Sequence, residues 1–450
     1  MEPSDRELNR YLAEQVKGVT IDAEMVRSYA NRPASLTSAV SDHASEGSRV
    51  LFEPVWPIAE PTFLNVPAFG AALEAALEGN VAGYVAQLRA NGQPILTQEW
   101  QFAKRPQEQG GSERWTPDVQ LHVASVSKLM TAMAMTRLMG EHNISPDAQI
   151  IDYLPDYWVK GQNIEYIVFR NVLDHTSGLS APDIMNFSVI QNAIAAGVSL
   201  DLTAQHHLGL YCYQNVDYAL CRILLTVMNG NISKSAEFDS WFGGFGFEGV
   251  FNEKIWDLVT IRSYEAYLQA NVFQPSAVVG ATLDHPAATG LAYAEPNDPG
   301  LGFNSGDLEA GCGPYAWHLS VDQVLDVMGE FRRSGGILTP EAALAMLENG
   351  FGIDPFVGYG CAPPGTPTPP WGLATQAGVV YCKNGEWQDK PNGRIEQALA
   401  YFLPQDMELV VLANSPVQGP RGTEFFRDVV TQVYLDNLIT QGQIGPIHAR

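Results

Sequence analysis

The chain predicts a mixed α/β fold of the α+β type: an antiparallel sheet built from N- and C-terminal segments, flanked by helices, with a large helical domain inserted between them. Three observations carry this expectation. Early in the chain, the alternating run Val81–Leu88 is followed by Asn91-Gly92 and a second run, Pro94–Trp100. Asn-Gly between alternating runs is a strong hairpin signal. Late in the chain, Gln397–Leu403 and Met407–Ala413 alternate in the same way and are joined by Pro404, Gln405 and Asp406. The long stretch between these hairpins reads mostly as helix with Gly and Pro breaks, so the sheet must draw on both ends of the chain.

Taken in order, residues up to about 60 mix acidic helical patches with Asn31-Arg32-Pro33 and a Ser-rich run ending at Pro54, Pro57 and Pro61. This reads as an extension, 1–62, that packs on the body. A short amphipathic helix, Ala71–Leu77, precedes the first hairpin, and an amphipathic helix from Phe425 to Leu438 closes the chain. The expected units are the extension, a sheet domain of 63–122 plus 371–445, and a mostly helical domain of 123–370. Pro363–Pro370 is the only low-complexity stretch, and no internal repeat is visible.

Composition excludes several functions. With 26 basic against 50 acidic residues and a formal charge of -24, the chain lacks the electrostatic footprint for nucleic acid or an anionic membrane. At 46% hydrophobic and 17% charged it has the makeup of a packed globular enzyme. The start of the sequence, Met1-Glu2-Pro3-Ser4-Asp5, is acidic where a signal peptide is basic, and no apolar run is long enough to span a membrane. Five cysteines (Cys212, Cys221, Cys312, Cys361, Cys382) without metal-type spacing fit reduced thiols in a cytoplasmic protein, with a pair such as Cys361 and Cys382 left open.

Chemistry enters at Ser125-Val126-Ser127-Lys128. A serine and a lysine three apart at a helix start share a face, so the amine reaches the hydroxyl. Tyr213-Gln214-Asn215 follows; a phenol flanked by ammonium groups ionises more readily and becomes a base. The spacing alone does not single it out, because Tyr29-Ala30-Asn31 matches equally and most such tyrosines are core residues. Lys383-Asn384-Gly385 precedes the late hairpin. There a lysine sets a positive charge that tunes the phenol or holds a substrate carboxylate, and the glycine admits close backbone approach. Read alone, it is a turn with a solvated lysine, but this chain has few lysines and two fall in these positions.

Together these residues resemble the serine β-lactamase, penicillin-binding-protein and esterase superfamily, with its Ser-x-x-Lys and Lys-Thr-Gly signatures. The resemblance is to the class C branch, with its D-aminopeptidases, D-Ala-D-Ala carboxypeptidases and carboxylesterases, where the second motif is Tyr-x-Asn. Ile144–Pro155, the Phe169–Leu179 block containing His175-Thr176-Ser177-Gly178-Leu179, and Phe402–Pro404 followed by Leu409–Asn414 resemble further family segments, so the match runs over about residues 65 to 440. It implies a β-lactamase/transpeptidase-like fold and an acyl-enzyme on Ser125. Lys128 and Tyr213 would share the proton, Asn215 would orient Lys128 and the substrate amide, and Lys383 would tune the site. The oxyanion would lie between the backbone N–H groups of Ser125 and of a residue just past Gly385, Glu386. No metal or cofactor is required, and the partner is a small-molecule ester or amide.

Departures from the pattern leave the substrate open. Asn384 stands where many relatives have Thr, and Lys383 where many esterases and peptidases have His; Glu386–Asn392 is longer than expected, and the extension has no counterpart. A carboxylesterase is the favoured reading. A β-lactamase, D,D-peptidase or D-aminopeptidase is the alternative, and an idle scaffold or binding protein on this fold is the third. His175 is not expected to serve as a triad base, since no Gly-x-Ser-x-Gly elbow is present, and His122 reads as a strand or packing residue.

Overall fold

A computed structural model describes residues 5–32, 40–41, 62–183, 185–238, 250–286, 289–356, 360–368, 370–420 and 422–440. The Ser- and Pro-rich part of the extension, with Pro54, Pro57 and Pro61, lies outside the described residues.

Five strands make the body of the sheet: β1 (Gly83–Ala90), β2 (Gln93–Lys104), β3 (Gly378–Asp389), β4 (Arg394–Leu403) and β5 (Met407–Ala413). They lie in the order β3-β4-β5-β1-β2, every pair antiparallel, with short strands at both edges. The junction between β5 and β1, Val411 opposite Ala86, is where the two ends of the chain meet. Both expected hairpins form. Asn91 and Gly92 take φ of 49° and 76°, the left-handed pair that a two-residue turn between twisted strands needs. Gln405 and Asp406 do the same between β4 and β5, at 61° and 57°. Within Glu386–Asn392, the segment longer than expected, Glu386–Asp389 extends β3 in register with β4, Glu386 opposite Gln397 and Asp389 opposite Arg394.

The helices that matter here are α1 (Asp5–Gln15), α2 (Ala23–Ala30), α3 (Val66–Leu77), α4 (Ser127–Glu141), α5 (Asn215–Met228), α6 (Val250–Leu268) and α7 (Phe426–Asp436). Alternation along the strands divides the core between two faces. Tyr84, Ala86, Leu88, Leu399, Tyr401 and Val411 pack with Phe69 and Leu73 of α3 and Phe426 and Val430 of α7. Val85, Ala398, Ala400, Val410 and Leu412 turn the other way, into the core around α4 and α5. Helix α4 buries most of its residues, Met130, Met133 and Met135 among them, because it runs through the middle of this core. Leu8, Leu12 and Val26 of α1 and α2 enter this same core. The hydroxyl of Tyr29 reaches Asp257 of α6 at 2.7 Å, and Arg222 of α5 pairs with that carboxylate at 2.7 Å. Tyr29 of the second Tyr-x-Asn is thus committed to fastening the extension. Among the described residues no helix is long and apolar enough to cross a membrane.

Candidate active site

The chain enters α4 through a strained turn. After the short strand Leu121–His122, Ala124 adopts φ of 45°, a conformation a non-glycine residue takes only where its surroundings hold it there. Ala124–Val126 then form one 3₁₀ turn and α4 begins at Ser127. Ser125 therefore sits just ahead of the helix and Lys128 just inside it, with Lys128 Nζ 2.6 Å from Ser125 Oγ. Lys128 is fully buried, and its ammonium also donates to Asn215 Oδ1 at 2.7 Å and to the Pro314 carbonyl at 3.0 Å.

Gln214 caps α5, so Tyr213 lies just outside that helix and Asn215 is its first residue. This geometry explains the Tyr-x-Asn spacing: one residue reaches the serine while the other, two on, reaches the lysine. Tyr213 Oη is 2.5 Å from Ser125 Oγ. Either hydroxyl of this pair can donate to the other. The ammonium groups of Lys128 and Lys383 lie 4.7 Å and 4.8 Å from the centre of the Tyr213 ring.

Lys383 lies within β3, not in a turn, and is buried. Its ammonium is ion-paired with the buried carboxylate of Asp354, whose other oxygen accepts from the Asn384 backbone N–H at 2.7 Å. Two residues further on, Gly385 passes so close to the turn that carries Ser125 that a Cβ there would lie 2.2 Å from Val123 O and 3.1 Å from Ser125 N. Alternate residues of a strand aim their N–H groups at the same edge. Asn384 N faces Asp354, away from β4, so Glu386 N points out from that edge as well. The Glu386 carboxylate is buried and accepts from Gln388.

The fold and motif order can be set beside known proteins. Residues 69–227 match the family model for Beta-lactamase. Among solved structures, a class C β-lactamase from Rhodobacter sphaeroides superposes with a TM-score of 0.54 at 17% identity, covering 82% of this chain and 98% of that one. A penicillin binding protein from Bacillus halodurans gives 0.53 at 16%, with coverage of 81% and 98%. EstCE1, a hydrolase with promiscuous acyltransferase activity, gives 0.51 at 15%, with 82% and 99%. The fold is that of the serine β-lactamase and penicillin-binding-protein-like superfamily. No curated protein sequence gives a significant match. The superfamily is generally one of serine hydrolases.

His175 packs beside Tyr213. Its ring packs 4.6 Å from that of Tyr213, and its Nδ1 is 2.9 Å from Asp217 Oδ2. Burial, with help from the ammonium groups of Lys128 and Lys383, holds His175 well below the usual imidazole range. Burial lifts the Asp217 carboxyl well above its own. A neutral pair therefore stands beside Tyr213, adding no charge. His122 lies on its short strand, 3.0 Å from Glu396, a carboxyl that burial also keeps protonated well above the usual range.

Several participants left no trace in the sequence. Asp354 and Pro314 lie in loops without a motif. The cysteines need a correction: the expectation of reduced thiols fails at Cys212 and Cys361, which form a disulfide across 149 residues, while Cys221, Cys312 and Cys382 are free and buried. The two sulfurs belong to residues that face each other as a β-bridge, a contact invisible to linear spacing. His206 lies beside them, so three metal-ligating atoms fall within 4.8 Å of one another. Two of these atoms are consumed by the disulfide.

Proposed function

We propose that the protein is a serine hydrolase that forms an acyl-enzyme on Ser125, and that it is a carboxylesterase-type enzyme for neutral acyl substrates. The observation that carries the chemistry is the position of Ser125 Oγ, 2.6 Å from an ammonium donor and 2.5 Å from a phenol oxygen. Lys128 Nζ lies within hydrogen-bonding distance of Ser125, Asn215 and Pro314, so Lys128 and Tyr213 share the proton as Ser125 attacks the carbonyl. The oxyanion meets the N–H groups of Ser125 and Glu386, donors already fixed by the nucleophile turn and by β3. Tyr213 then returns the proton to the leaving group and activates water against the acyl-enzyme.

The Lys383–Asp354 pair favours an ester over a β-lactam or a D-Ala-D-Ala peptide. Those substrates carry a carboxylate that needs an uncompensated cation, and here the nearest strand lysine already has its anion.

Purified protein assayed on short-chain p-nitrophenyl esters, nitrocefin and D-Ala-D-Ala peptides tests this directly. Ester turnover should dominate, Ser125→Ala should abolish it, and a fluorophosphonate should label Ser125 alone. Full activity in Ser125→Ala would overturn the acyl-enzyme. Faster turnover of nitrocefin than of any ester would move the assignment to a β-lactamase. Absence of both turnover and labelling would leave a scaffold or binding role.

A further inference from the structure

The disulfide has a position that its stabilising role does not require. Cys212 is covalently adjacent to Tyr213, and Cys361 lies on the segment that holds Tyr213 from outside. Tyr213 N donates to Gly360 O at 3.3 Å and Ala362 N to Tyr211 O at 2.9 Å. The disulfide joins the same two segments between those hydrogen bonds. Cys212 is buried, Cys361 is partly exposed, and the residues that follow, 363–368, are exposed. His206 Nδ1 lies 3.2 Å from Cys212 Sγ and 3.9 Å from Cys361 Sγ, where an imidazole can exchange a proton with a departing thiolate. The other three cysteines are buried, and burial pushes the thiols of Cys312 and Cys382 up to about 12, so thiol chemistry is confined to this pair.

We propose that Cys212 and Cys361 form a reversible thiol–disulfide site whose state fixes or frees the proton acceptor Tyr213. The consequence for rate rests on the role given to Tyr213 above; the exchange chemistry does not. A dithiol, small or carried by a protein, attacks Cys361 Sγ from the exposed side. Its sulfur forms a mixed disulfide as the Cys212–Cys361 bond breaks, and Cys212 leaves as a thiolate that takes a proton through His206. The second thiol of the reductant then displaces Cys361. Cys212 and Cys361 end as thiols, and the reductant is oxidised to its own disulfide. In the closed state Tyr213 is held against the 360–362 segment by a covalent bond as well as hydrogen bonds. In the open state that covalent tie is gone, and the hydrogen bonds to this segment remain together with the contacts to Ser125 and His175.

The test compares full-length protein equilibrated with oxidised glutathione against the same protein reduced with dithiothreitol. Native alkylation followed by peptide mass analysis should find modified Cys212 and Cys361 only after reduction, with Cys221, Cys312 and Cys382 unmodified in both. On a p-nitrophenyl ester, kcat should drop about tenfold or more on reduction, the scale on which a displaced catalytic group costs rate. KM should move much less, and reoxidation should restore kcat. Cys361→Ser should show the reduced rate and respond to neither reagent, its melting temperature reporting that it is folded. Deuterium uptake of the peptide containing residues 211–213 should rise on reduction, a readout independent of turnover. The proposal is overturned if oxidised protein shows no 212–361 linkage, if kcat is the same in both states, or if uptake is the same in both. An absence of ester turnover with no labelling of Ser125 would instead count against the hydrolase reading, leaving linkage and uptake to decide the site.

Discussion

Replacing Asp354 by asparagine removes the anion that masks Lys383 while keeping an acceptor for the Asn384 N–H. The expected consequence can be sized from one distance. Lys383 Nζ lies 4.8 Å from the centre of the Tyr213 ring. At an effective dielectric constant of about 20, a bare charge there favours the phenolate by about 3.5 kcal/mol, equivalent to about 2.5 pH units. That is a ceiling, because Asp354 cancels part of the field, not all of it, and solvent would enter to replace it. The limb of the pH–rate profile that reports deprotonation of the base should move to lower pH by about 1–2 units. The sign follows from the charge: an added cation stabilises the anionic form, so the base is ready at lower pH. The variant should also improve KM for a carboxylate-bearing ester relative to a neutral one, by about tenfold for the ~1.4 kcal/mol a partly screened charge supplies. Stability should drop by about 3–5 kcal/mol, the usual result of leaving one member of a buried pair alone, so the assay is run well below the variant's melting temperature. The measurement is kcat/KM against pH for both esters. If the folded variant keeps the wild-type limb and the wild-type preference, either Asp354 does not mask Lys383 or Tyr213 is not the base.

Three further outcomes are expected. Tyr213→Phe keeps the ring between the two ammonium groups but removes the proton acceptor, and should lose about 10²-fold or more in kcat; a near wild-type rate would assign the base elsewhere. Gly385→Ala drives a methyl group into Val123 O and toward Ser125 N, and should cost about 10²–10³-fold, the range for a lost oxyanion donor, measured as kcat and as the rate of fluorophosphonate labelling. Burial raises the Asp174 carboxyl to about 6 from an ordinary value near 3.9, so between about pH 4 and 6 the folded state binds more protons than the unfolded. Stability therefore declines as pH rises through that window, by about 3 kcal/mol, and stays lost at neutral pH. Asp174→Asn should accordingly melt higher than wild type at pH 7 and alike at pH 4; a variant that melts lower at pH 7 would contradict this.

The parts of this molecule that the sequence discloses are those governed by local chemistry. Asn91-Gly92 announces its hairpin because both residues tolerate positive φ, and the alternation of Gln397–Leu403 shows which residues face each side of the sheet. Ser125 and Lys128 are legible because a helical turn fixes their relation. Tyr213 and Asn215 are legible only through their order after Ser125, since Tyr29 and Asn31 show the same spacing and serve a different contact. Asp354 is illegible: a carboxylate in a loop carries no mark of the lysine it meets, and only the paths of two separate segments bring them together. The same holds for Cys212 and Cys361, whose bond depends on an isolated bridge between segments 149 residues apart. The extra length of Glu386–Asn392 is visible in the sequence, but the pairing of Glu386–Asp389 with β4 is a property of both segments.

These hidden partners decide how charge is distributed in the site. Lys128 donates to Ser125, Asn215 and Pro314 and lies 4.7 Å from the centre of the Tyr213 ring. Lys383, at nearly the same distance from that ring, is paired with a carboxylate. His175 and Asp217, which could have added opposite charges, are both pushed by burial toward their neutral forms. The two lysines sit alike beside the Tyr213 ring and differ in their partners: Lys383 meets the Asp354 carboxylate, Lys128 the serine and Asn215. On the proposed esterase reading, Asp354 is what turns the site away from anionic substrates, and the paired shifts in pH profile and KM expected of Asp354→Asn test that placement.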